Sequence, residues 1–219
     1  MTDRTSMVRR MVVRMVAVLF PVLGPAVAPG QTEPLADSPG PRLFHGSLGS
    51  FATAQGVYIR ALGPIGDVYG GAAGFSAGYG IHFPDPYLLL LQGGYADYGE
   101  WVNPDDGGVE KLRVVSLMAN PRLYLETDGV MPFFTLGVGV NLVNERYLEA
   151  GLPVDRTGLY FAWQFGFGLT VPLYGPLGLD VTAFYNNSFY DYGQGHDNPE
   201  NRMLTGFQYN AGLSWSFTQ

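Results

Sequence analysis

The sequence predicts an all-β protein, an eight-stranded antiparallel up-and-down transmembrane β-barrel with short turns at one end and longer loops at the other. Apolar residues recur at every second position from about residue 55 to the C terminus, which is the period of a β-strand. The alternation falls into eight segments, and single-chain bacterial barrels have an even number of strands. Charged residues make up only 14% of the 219 residues, against about 25% in soluble domains, which favours a lipid-facing exterior.

The first thirty residues have the pattern of a secretory signal peptide. An apolar run over residues 15–28 follows four basic residues, Arg4, Arg9, Arg10 and Arg14. The run contains two prolines and is shorter than the roughly 20 apolar residues of a spanning helix, which argues against a retained anchor. We predict a cleaved signal peptide over residues 1–30, a flexible lead-in over 31–53 and the barrel domain over 54–219.

Four segments alternate most strictly between bulky apolar residues and small or uncharged polar ones: residues 73–83, 134–142, 161–171 and 207–217. Weaker alternation covers four more: residues 55–63, 87–97, 112–125 and 178–187. A soluble lipid-binding barrel also alternates, but with its apolar face inward and a charged face in water. Because the polar positions here carry mostly Gly, Ser, Thr, Asn and Gln, they suit a narrow lumen. We therefore predict that the apolar face contacts lipid and that its aromatic residues form girdles at the membrane interfaces.

The predicted connections differ in length between the two ends of the barrel. Short turns are expected at three places: residues 84–86, 126–129 and 174–178. Longer, charged loops are expected at the other end: residues 98–111, 143–158 and 188–202. Short periplasmic turns opposite long external loops are typical of outer-membrane barrels, so the connections favour the same architecture.

The predicted inward face holds few ionisable groups, and these need partners in a low-dielectric interior. These ionisable groups and one tyrosine form the predicted lumen network, which consists of Arg60, His82, Arg122, Tyr124, Glu126 and Asp180. We expect Arg122 to pair with Glu126 or Asp180 near the periplasmic end, alongside His82. Side chains can fill the interior of an eight-stranded barrel, so the network is expected to plug the lumen. A gate for a narrow ion path is the alternative.

Two basic residues lie at the expected outer rim of the fourth strand. Arg113 has outward parity and Lys111 is close to it, so both are placed to contact lipopolysaccharide phosphates, with snorkelling at the interface as the alternative. The net charge of −7 argues against nucleic acid as a partner. Because cysteine is absent and the acidic stretch 103–108 departs from the calcium-loop spacing, we predict neither a metal nor a cofactor.

The histidines do not suggest a catalytic site of the kind found in barrels that modify lipid A. His45 precedes the barrel, His82 belongs at the periplasmic end and His196 falls in a loop. None lies on a strand near the outer rim with a serine beside it, whereas a nucleophile and its base must lie within hydrogen-bond reach. We therefore predict no catalytic residues.

The end of the chain has the order polar, any, glycine, any, any, aromatic, any, aromatic over residues 210–217. With this motif, residues 55–217 resemble the small OmpA/OmpX-type outer-membrane β-barrel family. The resemblance implies that the barrel-assembly machinery reads the motif as a β-signal through four residues, Asn210, Gly212, Trp215 and Phe217. Thr218 and Gln219 follow the last aromatic residue, at which family members often end. Taken together, these features predict a monomeric or weakly oligomeric protein of the outer membrane with a structural or surface-interaction role, and a narrow channel or a lipid A modifying enzyme is the alternative.

Overall fold

Eight antiparallel strands form a closed barrel in which each strand pairs with the next and the last pairs with the first. The computed structural model describes residues 49–83, 86–102, 109–125, 129–149, 152–189 and 204–217. Its elements are β1 (Gly49–Leu62), α1 (Gly63–Tyr69), β2 (Gly71–His82), β3 (Tyr87–Val102), β4 (Val109–Tyr124), β5 (Met131–Glu149), β6 (Leu152–Tyr174), β7 (Leu177–Ser188) and β8 (Leu204–Phe217). The predicted fold class, an eight-stranded antiparallel all-β barrel, is confirmed.

The two faces of the barrel wall follow the alternation in the sequence. On β5, Phe133 is 1% exposed and the next residue, Phe134, is 54% exposed. The same change from inside to outside is repeated along β2, β6 and β8, where the bulky apolar residues are the exposed ones. A wall that is apolar outside and closed inside is what a barrel solvated by lipid requires.

The barrel has two distinct ends, which we name from the strand connections. The turn end carries Gly49, Phe217 and the connections that follow β2, β4 and β6. The loop end carries α1 and the connections that follow β3, β5 and β7. The strands on one side continue further at the loop end, because β5 and β6 pair without interruption up to Glu149 and Leu152.

The prediction of a long loop over residues 143–158 was wrong. Residues 143–149 and 152–158 continue β5 and β6 as a paired hairpin in which Asn144 lies opposite Thr157 and Arg146 opposite Asp155. The charge of this stretch indicated a loop, but charged residues also suit strands that face water on both sides. Strand β1 likewise begins at Gly49, ahead of the predicted domain start at residue 54.

Helix α1 was not predicted, because seven residues are too few to show a helical period. It is bracketed by Gly63 and Gly70, whose φ angles of 65° and 68° lie in the region that glycine adopts most readily. The Ile65 side chain of this helix is buried in an apolar cluster of the barrel interior. The Tyr69 ring packs edge-on against the Tyr98 ring, with 6.2 Å between the ring centres. None of the helical residues in the described ranges forms a helix long and apolar enough to cross a membrane.

Candidate functional site

The centre of the lumen is an ion pair between β4 and β7. Arg122 Nη1 and Nη2 donate to the two carboxylate oxygens of Asp180 at 2.7 and 3.2 Å, and the two side chains are 1% and 0% exposed. Asp180 also accepts hydrogen bonds from Gln55 at 2.5 Å, Thr170 at 3.0 Å and Thr182 at 3.3 Å. Five donors therefore compensate for taking this carboxylate out of water.

A layer of amide side chains crosses the barrel next to the ion pair. Gln92 donates to Gln55 at 3.1 Å, Asn120 donates to Gln92 at 3.0 Å, and Gln164 donates to Asn120 at 2.7 Å. Asn210 joins the layer by donating to Gln55 at 3.3 Å. The chain of bonds links β1, β3, β4, β6 and β8 through the interior, so these side chains occupy the space that a pore would need.

An apolar cluster lies between the ion pair and the turn end. It consists of Phe51, Leu88, Leu90, Tyr124, Met131 and Phe133, each at most 2% exposed. The Arg122 guanidinium carbon lies 4.3 Å from the centre of the Phe133 ring and 5.8 Å from that of Phe51. The cation thus contacts two aromatic rings as well as Asp180, and these rings are part of the apolar cluster that is buried on this side of the lumen.

A second apolar cluster lies at the loop end, beneath α1. Its buried members are Val57, Ile59, Ala61, Ile65, Ala72, Ala96, Tyr98, Leu112, Val114, Val143 and Leu204. A cavity of about 50 Å³ lies where this cluster meets the amide layer, and residues of both line it. The lumen therefore has an apolar cluster towards each end, with the ion pair and the amide layer between them, and it also buries Glu110 and Glu145 at the loop end.

The structure brings four of the predicted lumen residues into the interior. Arg122 and Asp180 pair directly, Tyr124 is buried with its hydroxyl 3.5 Å from that of Thr170, and His82 is buried at the turn end. Glu126 lies outside the described residues. The amides and threonines that complete the network belong to the polar face that the sequence predicts for the lumen, but which of them bond to one another and to Asp180 was not predicted.

Arg60 does not face the lumen, and the prediction for it was wrong. It is exposed on the outer face of β1, whereas the flanking residues Ile59 and Ala61 are buried in the loop-end cluster. Neighbouring strand residues point to opposite faces, so apolar packing at 59 and 61 fixes Arg60 outside. The prediction assigned a charge to the interior where apolar side chains fill it.

The four residues of the terminal motif divide between the two faces of β8. Asn210 is buried in the amide layer, and Gly212 shares its inward parity. Trp215 and Phe217 are exposed at the turn end, 46% and 47%, with ring centres 6.3 Å apart. The two aromatic rings therefore lie where the aromatic girdle at a membrane interface is expected.

The predicted outer-rim cations lie on the outer face near the loop end and are paired. Lys111 binds Glu100 at 2.7 Å, and Arg113 Nε binds Asp97 at 3.1 Å. Arg146 makes two hydrogen bonds to Asp155, at 2.7 and 3.0 Å, in the part of the β5–β6 hairpin beyond the apolar wall. Hydrogen bonding to Arg146 holds the pKa of Asp155 below its usual range.

The β5–β6 hairpin leaves one strand edge open among the described strands. β7 pairs with β6 only from Ala162 towards the turn end, so residues 152–160 of β6 pair with β5 alone. Phe189 N–H donates to the Phe161 carbonyl at 3.1 Å, which shows that odd-numbered residues of β6 direct their backbone groups to this edge. Pro153 occupies one such position, where its missing N–H costs no ladder bond.

Comparison with known proteins found no family model that matches the chain. No curated protein matches it either.

Solved structures do match the fold. Neisserial surface protein A shares 15% identity over 76% of this chain and 96% of its own, with a TM-score of 0.50. The attachment invasion locus protein Ail of Yersinia pestis shares 13% identity over 80% and 100%, also with a TM-score of 0.50. A major outer membrane protein from Thermus thermophilus shares 15% identity over 77% and 99%, with a TM-score of 0.52. The resemblance seen in the sequence is thereby confirmed at the level of architecture, and the chain has the fold of small eight-stranded bacterial outer-membrane β-barrel proteins.

Proposed function

We propose that this protein is exported, resides in the bacterial outer membrane as a monomer and has a structural or surface-interaction role without catalysis. The apolar outer wall and the paired aromatic residues at the turn end support a membrane location. In this placement the turn end faces the periplasm and the loop end faces the medium. The role of Asn210, Gly212, Trp215 and Phe217 as a signal for the barrel-assembly machinery is part of the proposal and follows from the family resemblance.

The observation that carries the proposal is the filled lumen. The Arg122–Asp180 pair is fully buried, and the guanidinium lies over the rings of Phe51 and Phe133. A path that opened through this pair would separate two buried charges and leave each without its counter-charge. The interior thus supports a scaffold better than a channel.

The edge of β6 that pairs with no described strand supports surface interaction. Asp155, Thr157 and Leu159 direct backbone donors and acceptors to that edge, and their side chains are exposed. An unpaired edge is a template on which an extended segment of another protein can add as a strand. The proposed placement puts this edge outside the cell, where partners are accessible.

The absence of catalysis is supported by the one histidine in the described ranges. His82 is buried at the turn end of the barrel. In the proposed placement the leaflet that carries lipid A surrounds the opposite end, the loop end. His45 and His196 lie outside those ranges. Within the described part of the chain no cluster of three or more metal-ligating side chains occurs.

Conductance in a planar lipid bilayer tests the filled lumen. We expect no stepwise conductance above the lipid baseline for the full-length folded protein. Phe133→Ala and Phe134→Ala form a matched pair, since Phe133 is buried in the lumen and Phe134 is exposed on the wall. Steady single-channel steps that Phe133→Ala alters and Phe134→Ala leaves unchanged would establish a path through the lumen and overturn the proposal.

A further inference from the structure

Three cations lie together on the outer face where β4 meets β5. Lys111 is directly opposite Arg146 in the strand register. The next pair of outward-facing residues towards the turn end is Arg113 opposite Asn144. Arg113 is 44% and Arg146 58% exposed. We call these four residues, Lys111, Arg113, Asn144 and Arg146, the basic seam.

The carboxylates that pair with these cations lie on the far sides of the seam. Asp97 and Glu100 belong to β3, and Asp155 belongs to β6. Lys111 and Arg146 carry like charges at directly opposite positions of neighbouring strands, and like charges so placed repel. An anion between β4 and β5 would relieve this repulsion, and no described carboxylate takes that position.

The arginines of the seam retain donors for such an anion. Arg113 uses only Nε in its bond to Asp97, so both of its terminal nitrogens are uncommitted among the described contacts. Arg146 uses Nε and Nη2 for Asp155 and retains Nη1. Guanidinium groups donate two parallel hydrogen bonds to phosphate oxygens, which makes phosphate the anion that fits best.

The seam lies at the border of the apolar wall. The next outward positions towards the turn end are Val115 on β4, opposite Leu142 on β5, followed by Leu117 opposite Val140. Acyl chains would contact these four residues, and the cations would lie at the height of the head groups. A phosphate carried by a membrane lipid meets both conditions at once, whereas a free phosphate meets only the first.

We propose that Lys111, Arg113 and Arg146 bind a phosphate group of the glycolipid in the outer leaflet, with its acyl chains along Val115, Leu117, Val140 and Leu142. The inference rests on the proposed outer-membrane location. The contact with lipopolysaccharide phosphates that the sequence predicts for Lys111 and Arg113 thereby gains a third cation, Arg146 of β5, and a position between β4 and β5.

The test is binding of fluorescent lipopolysaccharide to the full chain in phosphatidylcholine nanodiscs. The double variant Arg113→Gln/Arg146→Gln is expected to bind about tenfold more weakly, since it loses charge-assisted hydrogen bonds. Glu100→Gln/Asp155→Asn is expected to bind more tightly, because the competing carboxylates are removed. Arg113→Lys/Arg146→Lys keeps the charge without the paired donors and is expected to fall between wild type and the glutamine variant. Arg60→Gln is the matched control, since Arg60 is an exposed cation near the loop end of β1 with no described ion pair.

Four results would overturn the proposal. Equal binding by wild type and Arg113→Gln/Arg146→Gln would show that the seam is an ion-pair ladder only. An equal loss in Arg60→Gln would show that affinity follows total charge. If dephosphorylated lipopolysaccharide competes as strongly as the intact lipid, binding belongs to the acyl chains. If inorganic phosphate at the same concentration competes as strongly, the site binds free phosphate. If the wild-type chain does not insert into nanodiscs as a folded barrel, the outer-membrane proposal fails instead.

Discussion

Replacing Arg122 by alanine is expected to lower the free energy of unfolding by about 3–5 kcal/mol, because the Asp180 carboxylate then stays buried without its cation. The remaining donors, Gln55, Thr170 and Thr182, are neutral and cannot supply the lost charge. The variant also leaves a space between the Phe51 and Phe133 rings. Urea unfolding of the refolded protein in lipid vesicles, followed by tryptophan fluorescence, measures the difference.

Arg113→Ala is the matched control for this prediction. It removes an ion pair of the same residue types, but Arg113 is 44% exposed, and exposed pairs contribute about 0–1 kcal/mol. The expected order is therefore a large loss for Arg122→Ala and a small one for Arg113→Ala. A melting temperature of Arg122→Ala equal to that of wild type would contradict the role given to the buried pair.

Gly212→Ala is expected to destabilise the barrel by at least about 1–3 kcal/mol, the usual cost of overpacking. A Cβ atom at this position would overlap the Ala54 carbonyl oxygen and lie 2.5 Å from the Gln55 Cα, so backbone atoms of β1 would have to move. Refolding of the purified protein into detergent contains no assembly machinery. A loss of stability in that experiment therefore measures packing alone, apart from any role of Gly212 in the β-signal.

Gly56→Ala on β1 provides the comparison. Its added Cβ would find only the Ala211 carbonyl oxygen, at an ordinary contact distance of 3.8 Å. We expect this variant to refold with nearly wild-type stability. If Gly212→Ala were as stable as Gly56→Ala in detergent, the close approach of β8 and β1 would not explain the glycine.

The barrel and its two faces could be predicted because one physical rule, the period of two, acts on every strand. Where that rule was applied to Phe134 or Trp215, the predicted face was correct. It failed for Arg60 because the prediction weighed the charge of one residue over the apolar neighbours that fix its face. The extension of β5 and β6 beyond the wall was missed for a similar reason, since charge was interpreted as a loop.

The partners inside the lumen could be predicted only in part. Parity placed Arg122 and Asp180 in the interior, but the sequence left Glu126 and Asp180 as equal partners for the arginine. Which residues meet across a barrel depends on the register of all the strands between them, and β4 and β7 are not neighbours. Helix α1 depends on tertiary packing of Ile65 and Tyr69, which a seven-residue segment does not reveal by itself.

Cell fractionation combined with electrophoresis of heated and unheated samples tests the central claim most directly. A closed barrel satisfies the hydrogen bonds of its membrane-spanning strand segments internally and stays folded in detergent until it is heated. We expect the protein in the outer-membrane detergent extract, with an unheated band that migrates faster than the heated one. Recovery in the periplasmic extract, with no difference in mobility, would contradict the account.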